Sequence, residues 1–201
     1  MLNIDTNIAD FNSTNSLVEK ARLFALVAHS ADRTYGPTGQ KRKYSGEPYI
    51  IHPIHVCTIL QRLSANFPES VVTAEMQAAA ILHDVVEDTG ITIELVEQEF
   101  GLEVSRIVAG LTDVSKPEDG NRAARKALDL SHTAEQASDV KTVKLADLIS
   151  NAPSIISNDK GFAVRWMSEK EALLEVLADG DRVLHSIASD ILRNFLMRND
   201  A

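Results

Sequence analysis

A single cysteine, Cys57, stands among the 201 residues, so no intramolecular disulfide can form and a reducing compartment such as the cytoplasm is expected. Cys57 lies in an apolar segment and reads as a small core residue. Aromatic residues are scarce, at 5%, beside 44% apolar residues rich in alanine and leucine; that mix favours helices over a β-sandwich. No apolar run approaches the length of a membrane span, and MLNIDTNIADFNSTNS lacks the basic and apolar blocks of a signal peptide. Asn12-Ser13-Thr14 fits a glycosylation sequon, which in such a chain reads as chance. Basic residues are in deficit. The formal charge of -9 argues against a general nucleic-acid binder, but it leaves room for a small anion if a metal or a local basic cluster reverses the field. Internal repeats and low-complexity segments are also absent.

What remains is helical punctuation. Length suits one domain that buries roughly 70% of its unfolded surface. The reading is an all-α, single-domain bundle over residues 16–201, preceded by a polar tail over 1–15. Ser16 caps a first helix that runs to about Arg33. Residues 34–49, TYGPTGQKRKYSGEPY, carry three glycines and two prolines and form a long loop of the kind that is often functional. Pro53 opens a second helix with His52 at its cap. Thr73 starts a third helix through AAAILHDVVEDT, and Thr92 starts another that Gly101 ends. Helices follow over 102–112, 121–133 and 139–152, the last ended or kinked by Pro153. GFAVRWMSEKEALLEVLADG, stopped by Gly180, and RVLHSIASDILRNFLM complete the set.

The chemistry concentrates in ILHDVVED. On a continuous helix His83 stacks over Glu87, and Asp84 over Asp88. Carboxylates this close repel one another unless protons or a cation intervene. The plain alternative is a helix end decorated with solvated acids. Two further residues point towards the cation: His52 at a helix start, and Asp147 in the apolar helical stretch VKLAD, where an unpaired charge is expensive. Two imidazoles and two carboxylates suit Mn, Fe, Co or Zn. Ligation rich in oxygen, with positions open to water, favours a catalytic over a closed structural site.

GEPYIIHP, ILHDVVEDT and VKLAD, in that order and at that separation, resemble the HD-domain hydrolases of the RelA/SpoT type, and the chain is most similar to the small alarmone hydrolases. The resemblance runs from about Ala21 to at least Asn151 and more loosely through RWMSEKEALLEVL, and the hydrolase unit alone is expected here. It implies an all-helical bundle around one metal, usually manganese, that removes the 3′-diphosphate of guanosine tetra- or pentaphosphate. It implies metal ligands at His52, His83, Asp84 and Asp147, and water-handling carboxylates at Glu87 and Asp88. It also implies nucleotide contacts at Arg42, Lys43 and Asn151, to which the adjacent Lys41 adds charge. There are departures. Leu148 stands where many members have a basic residue, ISNAPS replaces LHNMRT so that Ala152, Pro153 and Ser154 are unusual, and RTYGPTG lengthens the first loop. All surround the expected nucleotide pocket, so the base stays open between guanine and adenine. The alternatives are an HD phosphohydrolase of another nucleotide, such as a monophosphatase, and a catalytically silent alarmone-binding domain; the presence of Glu87 and Asp88 favours catalysis.

The other candidates have plainer readings. His29 is a partly buried structural histidine, and His55 is packing or surface. His132 and His185 have no motif context. Glu118 and Asp119 are solvated. Lys141 and Lys144 flank the VKLAD helix, where either can reach a phosphate although exposed helix lysines usually do nothing specific, and Trp166 packs. The expected partner is a small nucleotide, with no nucleic acid and no membrane; homo-oligomerisation is left open.

Overall fold

Thr73, Thr92, Asn121 and Asp159 each precede a helix, and each side chain accepts a hydrogen bond from the backbone amide three residues on, those of Met76, Leu95, Ala124 and Phe162. Such a cap contributes typically about 1 kcal/mol. The structure, a computed structural model, describes residues 4–31 and 39–199. Among these the helices run α1 Ile4–Ala31, α2 Ile51–Asn66, α3 Ala74–Leu82, α4 Val85–Asp88, α5 Ile93–Phe100, α6 Leu102–Leu111, α7 Arg122–Ala134, α8 Ser138–Asn158, α9 Lys160–Val176 and α10 Arg182–Asn199. No strand occurs among the described residues; Lys41 and Pro48 form a lone bridge. The all-α reading holds.

α3 lies at the centre. Six of its nine residues, Met76, Ala78, Ala79, Ala80, Ile81 and Leu82, are buried, and it packs against α1, α2, α6 and α8. A helix with most of its residues buried and apolar is a core helix, and its alanines let the neighbours approach closely. α8 is the second internal element, packed on α2, α10, α6, α3 and α9. The site residues lie at the start of α2, just past the end of α3, and in the middle of α8. Three of the best-packed parts of the bundle therefore fix their backbones.

Three boundaries differ from expectation. α1 begins at Ile4, not at Ser16. α8 continues through Pro153 to Asn158, because Ala152 is buried and Ile155 and Ile156 pack on the core. That burial outweighs the roughly 3 kcal/mol an internal proline costs. The third helix is not continuous through the HD pair: it stops at Leu82, and α4 is a separate turn. Of the expected insertion, residues 33–39, only Gly39 lies within the described residues.

Gly39 is required where it stands. Its φ is +67°, and an added Cβ would lie 2.9 Å from the Ser30 Cα and 3.0 Å from the His29 carbonyl oxygen. Both are backbone atoms of α1 and cannot rotate away. This close approach lets the Gln40 amide bond the His29 carbonyl at 2.9 Å. Gly39→Ala is expected to lower unfolding stability by roughly 1–3 kcal/mol, the cost of a side chain held in the left-handed region. Chemical denaturation checks this; an unchanged midpoint contradicts it.

Candidate metal centre

The end of α3 sets the chemistry of His83. A helix leaves its last carbonyls unpaired, and here the His83 Nδ1 lies 2.8 Å from the Ala80 carbonyl oxygen. A carbonyl only accepts, so Nδ1 carries the proton and Nε2 is left bare in the neutral ring. That nitrogen is buried and has no hydrogen-bond partner, although it lies 2.9 Å from Asp84 Oδ2 and 3.6 Å from Asp147 Oδ1. The approach is close but not aligned as a hydrogen bond, as expected when several donors face a common point. Asp84 then takes φ -99° and ψ -3°, a turn that points the next helical turn elsewhere.

His52 comes from the first turn of α2. Its Nε2 lies 3.0 Å from Asp147 Oδ1 and 3.7 Å from Asp84 Oδ2, and its ring meets that of His83 edge-on with centroids 5.1 Å apart. His52, His83 and Asp84 each offer an atom within 4.8 Å of the others. Asp147 Oδ1 joins them through the two short distances to imidazole nitrogen. The four residues assigned from sequence therefore converge. Two nitrogens and two carboxylates suit a divalent cation, and the orphaned His83 Nε2 is the observation that tests the fit.

Electrostatics agree. Burial alone would raise the Asp84 carboxyl, but the facing His83 holds it down at about 2. Asp147 is likewise held well below the ordinary range against its burial, by the facing imidazoles of His52 and His83. Burial would lower His83, yet Asp84 and Asp147 pull it well above its ordinary value. Both carboxylates stay ionised and demand positive charge opposite. Each also has an outside donor: the Tyr49 hydroxyl donates to Asp84 Oδ2 at 2.5 Å, and the Asn151 amide donates to Asp147 Oδ1 at 2.8 Å.

The helix breaks at His83, but Asp84 and Asp88 remain one turn apart, the Asp88 amide donating to the Asp84 carbonyl at 2.9 Å. Glu87 and Asp88 flank the centre on two sides. Asp88 Oδ2 accepts from Gln40 Nε2 at 2.7 Å, and Gln40 Oε1 in turn accepts from His29 Nδ1 at 2.7 Å. Burial and then the like charge of Asp84 raise Asp88. Glu87 Oε1 accepts from the Asp113 amide at 2.6 Å. Its carboxyl is pushed up to about 7, first by burial and then by Asp113. The side chain opens onto the cavity, so water screens part of that effect.

The loop cations separate. Arg42 Nη2 donates to Asn151 Oδ1 at 3.3 Å, so these two share one side of the centre. Lys43 turns to Asp159, 3.7 Å away, and to the Tyr44 ring; the Lys41 side chain is exposed. His29 is a buried structural histidine as expected. His55 is exposed but bonded, to Ser150. Lys141 is buried and pairs with Asp179, contrary to its exposed reading.

A cavity of about 760 Å³ opens beside Asp84, Glu87 and Asp147. Five cations line it: Arg122 and Lys126 from α7, Lys144 from α8, Arg165 and Lys170 from α9. Arg122 holds Glu169 through two hydrogen bonds, and Lys126 lies 2.7 Å from Asp113 and 3.0 Å from Asp129. Lys170 sits over the Trp166 ring, its amine pushed down to about 8 by burial and then by Lys144. Sequence reading missed this set apart from Lys144. The available signal was Arg122 and Lys126 at helical spacing four, which share a face of α7. Tyr49 and Gln40 were also missed, although both lie in the loop leading to His52.

With this geometry in hand, known proteins bear on it directly. A family profile described as HD domain matches residues 27–171. The chain belongs to the HD domain family. It is 37% identical over 140 residues to a guanosine-3′,5′-bis(diphosphate) 3′-pyrophosphohydrolase of Danio rerio, covering 70% of this chain and 69% of that one. It is 38% identical over 129 residues to a probable enzyme of the same name from Synechocystis, covering 63% of this chain but 16% of that longer protein. The chain thus spans a small part of some relatives and over two thirds of another. The solved structure of a metazoan SpoT ortholog that hydrolyzes ppGpp superposes with a TM-score of 0.74 at 26% identity, covering 89% of this chain and 94% of that one. Among the described residues no helix is long and apolar enough to cross a membrane.

Asp84, like Asp147, is a charged member of the set that faces both imidazoles. Asp84→Ala is expected to abolish metal retention. Loss of a group that only orients a ligand costs about 10–100-fold in affinity, and removal of a ligand should exceed that. Elemental analysis after gel filtration reads it; full occupancy in the variant contradicts the assignment.

Proposed function

We propose that this HD-family protein is a manganese-dependent pyrophosphohydrolase that removes the 3′-diphosphate from guanosine 3′,5′-bis(diphosphate)-type nucleotides. The observation that carries the reading is the convergence of His52, His83, Asp84 and Asp147 at one end of a cavity lined by five cations. The Danio rerio relative and the metazoan SpoT structure support the substrate class. The lone, buried Cys57, its thiol pushed up to about 12 by burial, fits a reducing compartment such as the cytoplasm.

His52, His83, Asp84 and Asp147 would hold the ion, which when bound supplies Lewis acidity to a phosphoryl oxygen and acidifies water. The remaining work falls to side chains. Water adds to the phosphorus attached to the 3′ oxygen, the bond from that phosphorus to the 3′ oxygen breaks, and the 3′ oxygen gains a proton as pyrophosphate leaves. Glu87 takes the water proton, because a base is most effective with its pKa near the working pH. Asp88, held by Gln40, orients the water from the other side. Arg122, Lys126, Lys144, Arg165 and Lys170 receive the substrate phosphates in a chain whose formal charge is -9. Arg42, beside Asn151, offers a guanidinium plane to the purine, which an ammonium cannot do.

The test is incubation of purified protein with manganese and a panel of guanosine and adenosine bis(diphosphates) and monophosphates, with products resolved. Pyrophosphate from the guanosine bis(diphosphate) supports the reading. Orthophosphate from a monophosphate, or no product, overturns it in favour of a monophosphatase or a silent binding domain. Glu87→Gln should retain the metal and slow turnover by about 10²–10⁴-fold, the usual contribution of general acid–base catalysis. Near-normal turnover with normal metal content removes Glu87 from the mechanism.

A further inference from the structure

We propose that Ser150 and His55 form a positioning relay that holds His52 as a metal ligand, an inference that rests on the reading of His52 as a ligand. Ser150 is buried in the middle of α8, three residues past Asp147. A serine inside a helix commonly bonds back to the carbonyl of the preceding turn. Ser150 instead meets two imidazoles: its Oγ lies 3.1 Å from His52 Nδ1 and 3.1 Å from His55 Nδ1.

A hydroxyl has one proton, so it cannot donate to both nitrogens. His52 presents Nε2 to Asp147 and Asp84. If that nitrogen is a bare metal donor, the proton of the neutral ring must sit on Nδ1. The bonds then run in one direction. His52 Nδ1–H donates to Ser150 Oγ, the hydroxyl donates to His55 Nδ1, and the remaining proton of His55 sits on Nε2, on an exposed ring. Groups behind a ligating imidazole fix its tautomer and orientation and raise its basicity. His83 has a backbone carbonyl in this role, from Ala80. His52 depends on side chains, and no candidate role was read from sequence for either Ser150 or His55.

The test uses the full chain and measures manganese and zinc dissociation constants by chelator competition for wild type, Ser150→Ala, Ser150→Thr and His55→Ala. Ser150→Ala should weaken binding by about 10–100-fold, and Ser150→Thr, which keeps the hydroxyl, should stay within about threefold of wild type. His55→Ala should fall between them. In zinc-loaded wild type the His52 Nδ1–H proton should give a slowly exchanging NMR resonance, lost in Ser150→Ala. The melting temperature of metal-free Ser150→Ala should match that of the metal-free wild type.

Wild-type affinity with an intact resonance in Ser150→Ala overturns the relay and leaves the ligand reading standing. A threonine variant as weak as the alanine variant shows that Ser150 matters for packing, and overturns it too. A wild type that binds neither ion overturns both. Should Ser150→Ala fail to fold, His55→Ala at an exposed position decides: unchanged affinity overturns the relay.

Discussion

Asp84 and Asp147 face the same pair of imidazole nitrogens from different helical segments, and both remain ionised against substantial burial. Unit like charges repel by roughly 4 kcal/mol at about 4 Å in an effective dielectric of about 20, and by less as they separate. A domain is stable by only about 5–15 kcal/mol in total, so positive charge must offset such repulsion. In the described residues the imidazoles answer it in part, with His83 pulled towards its charged form. A divalent cation answers it more fully and frees the His83 Nε2 for coordination. The surrounding hydrogen bonds make sense in that light: Tyr49 and Asn151 steady the carboxylates, and the Ala80 carbonyl steadies an imidazole.

The break after Leu82 links fold to site. The break frees the Ala80 carbonyl for the His83 ring, while, beyond the effect of burial, Asp84 still raises both Glu87 and Asp88 through its like charge. The bend sends Glu87 to the Asp113 amide and Asp88 to Gln40. Four carboxylates thus divide into two beside the imidazoles and two that flank them. The same imidazole bond that closes the helix also chooses the His83 tautomer. Helix termination and the choice of which His83 nitrogen faces the carboxylates are one local event.

Much of this was legible in the sequence. Thr73, Thr92 and Gly101 marked their helix ends because caps and left-handed glycines act locally. His52, His83, Asp84 and Asp147 were legible through the spacing and order of their motifs. The break at His83 was not, because ILHDVVED reads as uninterrupted helix and only the side-chain bond to Ala80 ends it. Pro153 misled in the opposite direction, since the burial that carries α8 past it is tertiary. The cavity cations were hidden for a similar reason. Arg122, Lys126, Arg165 and Lys170 look like ordinary surface charges until α7 and α9 fold over the centre. Their gathering offsets most of the charge of the six carboxylates that line the same cavity, Asp84, Glu87, Asp113, Asp129, Asp147 and Glu169.

The central claim is that one cation sits where two imidazoles and two carboxylates converge. Crystals soaked in manganese, with anomalous scattering recorded near the metal edge, test it most directly. The account predicts a single strong peak within coordination distance of His52 Nε2, His83 Nε2 and carboxylate oxygens of Asp84 and Asp147, with Glu87 and Asp88 outside that shell. A peak held by Glu87 and Asp88 in place of the imidazoles, or no peak at this position, would contradict it.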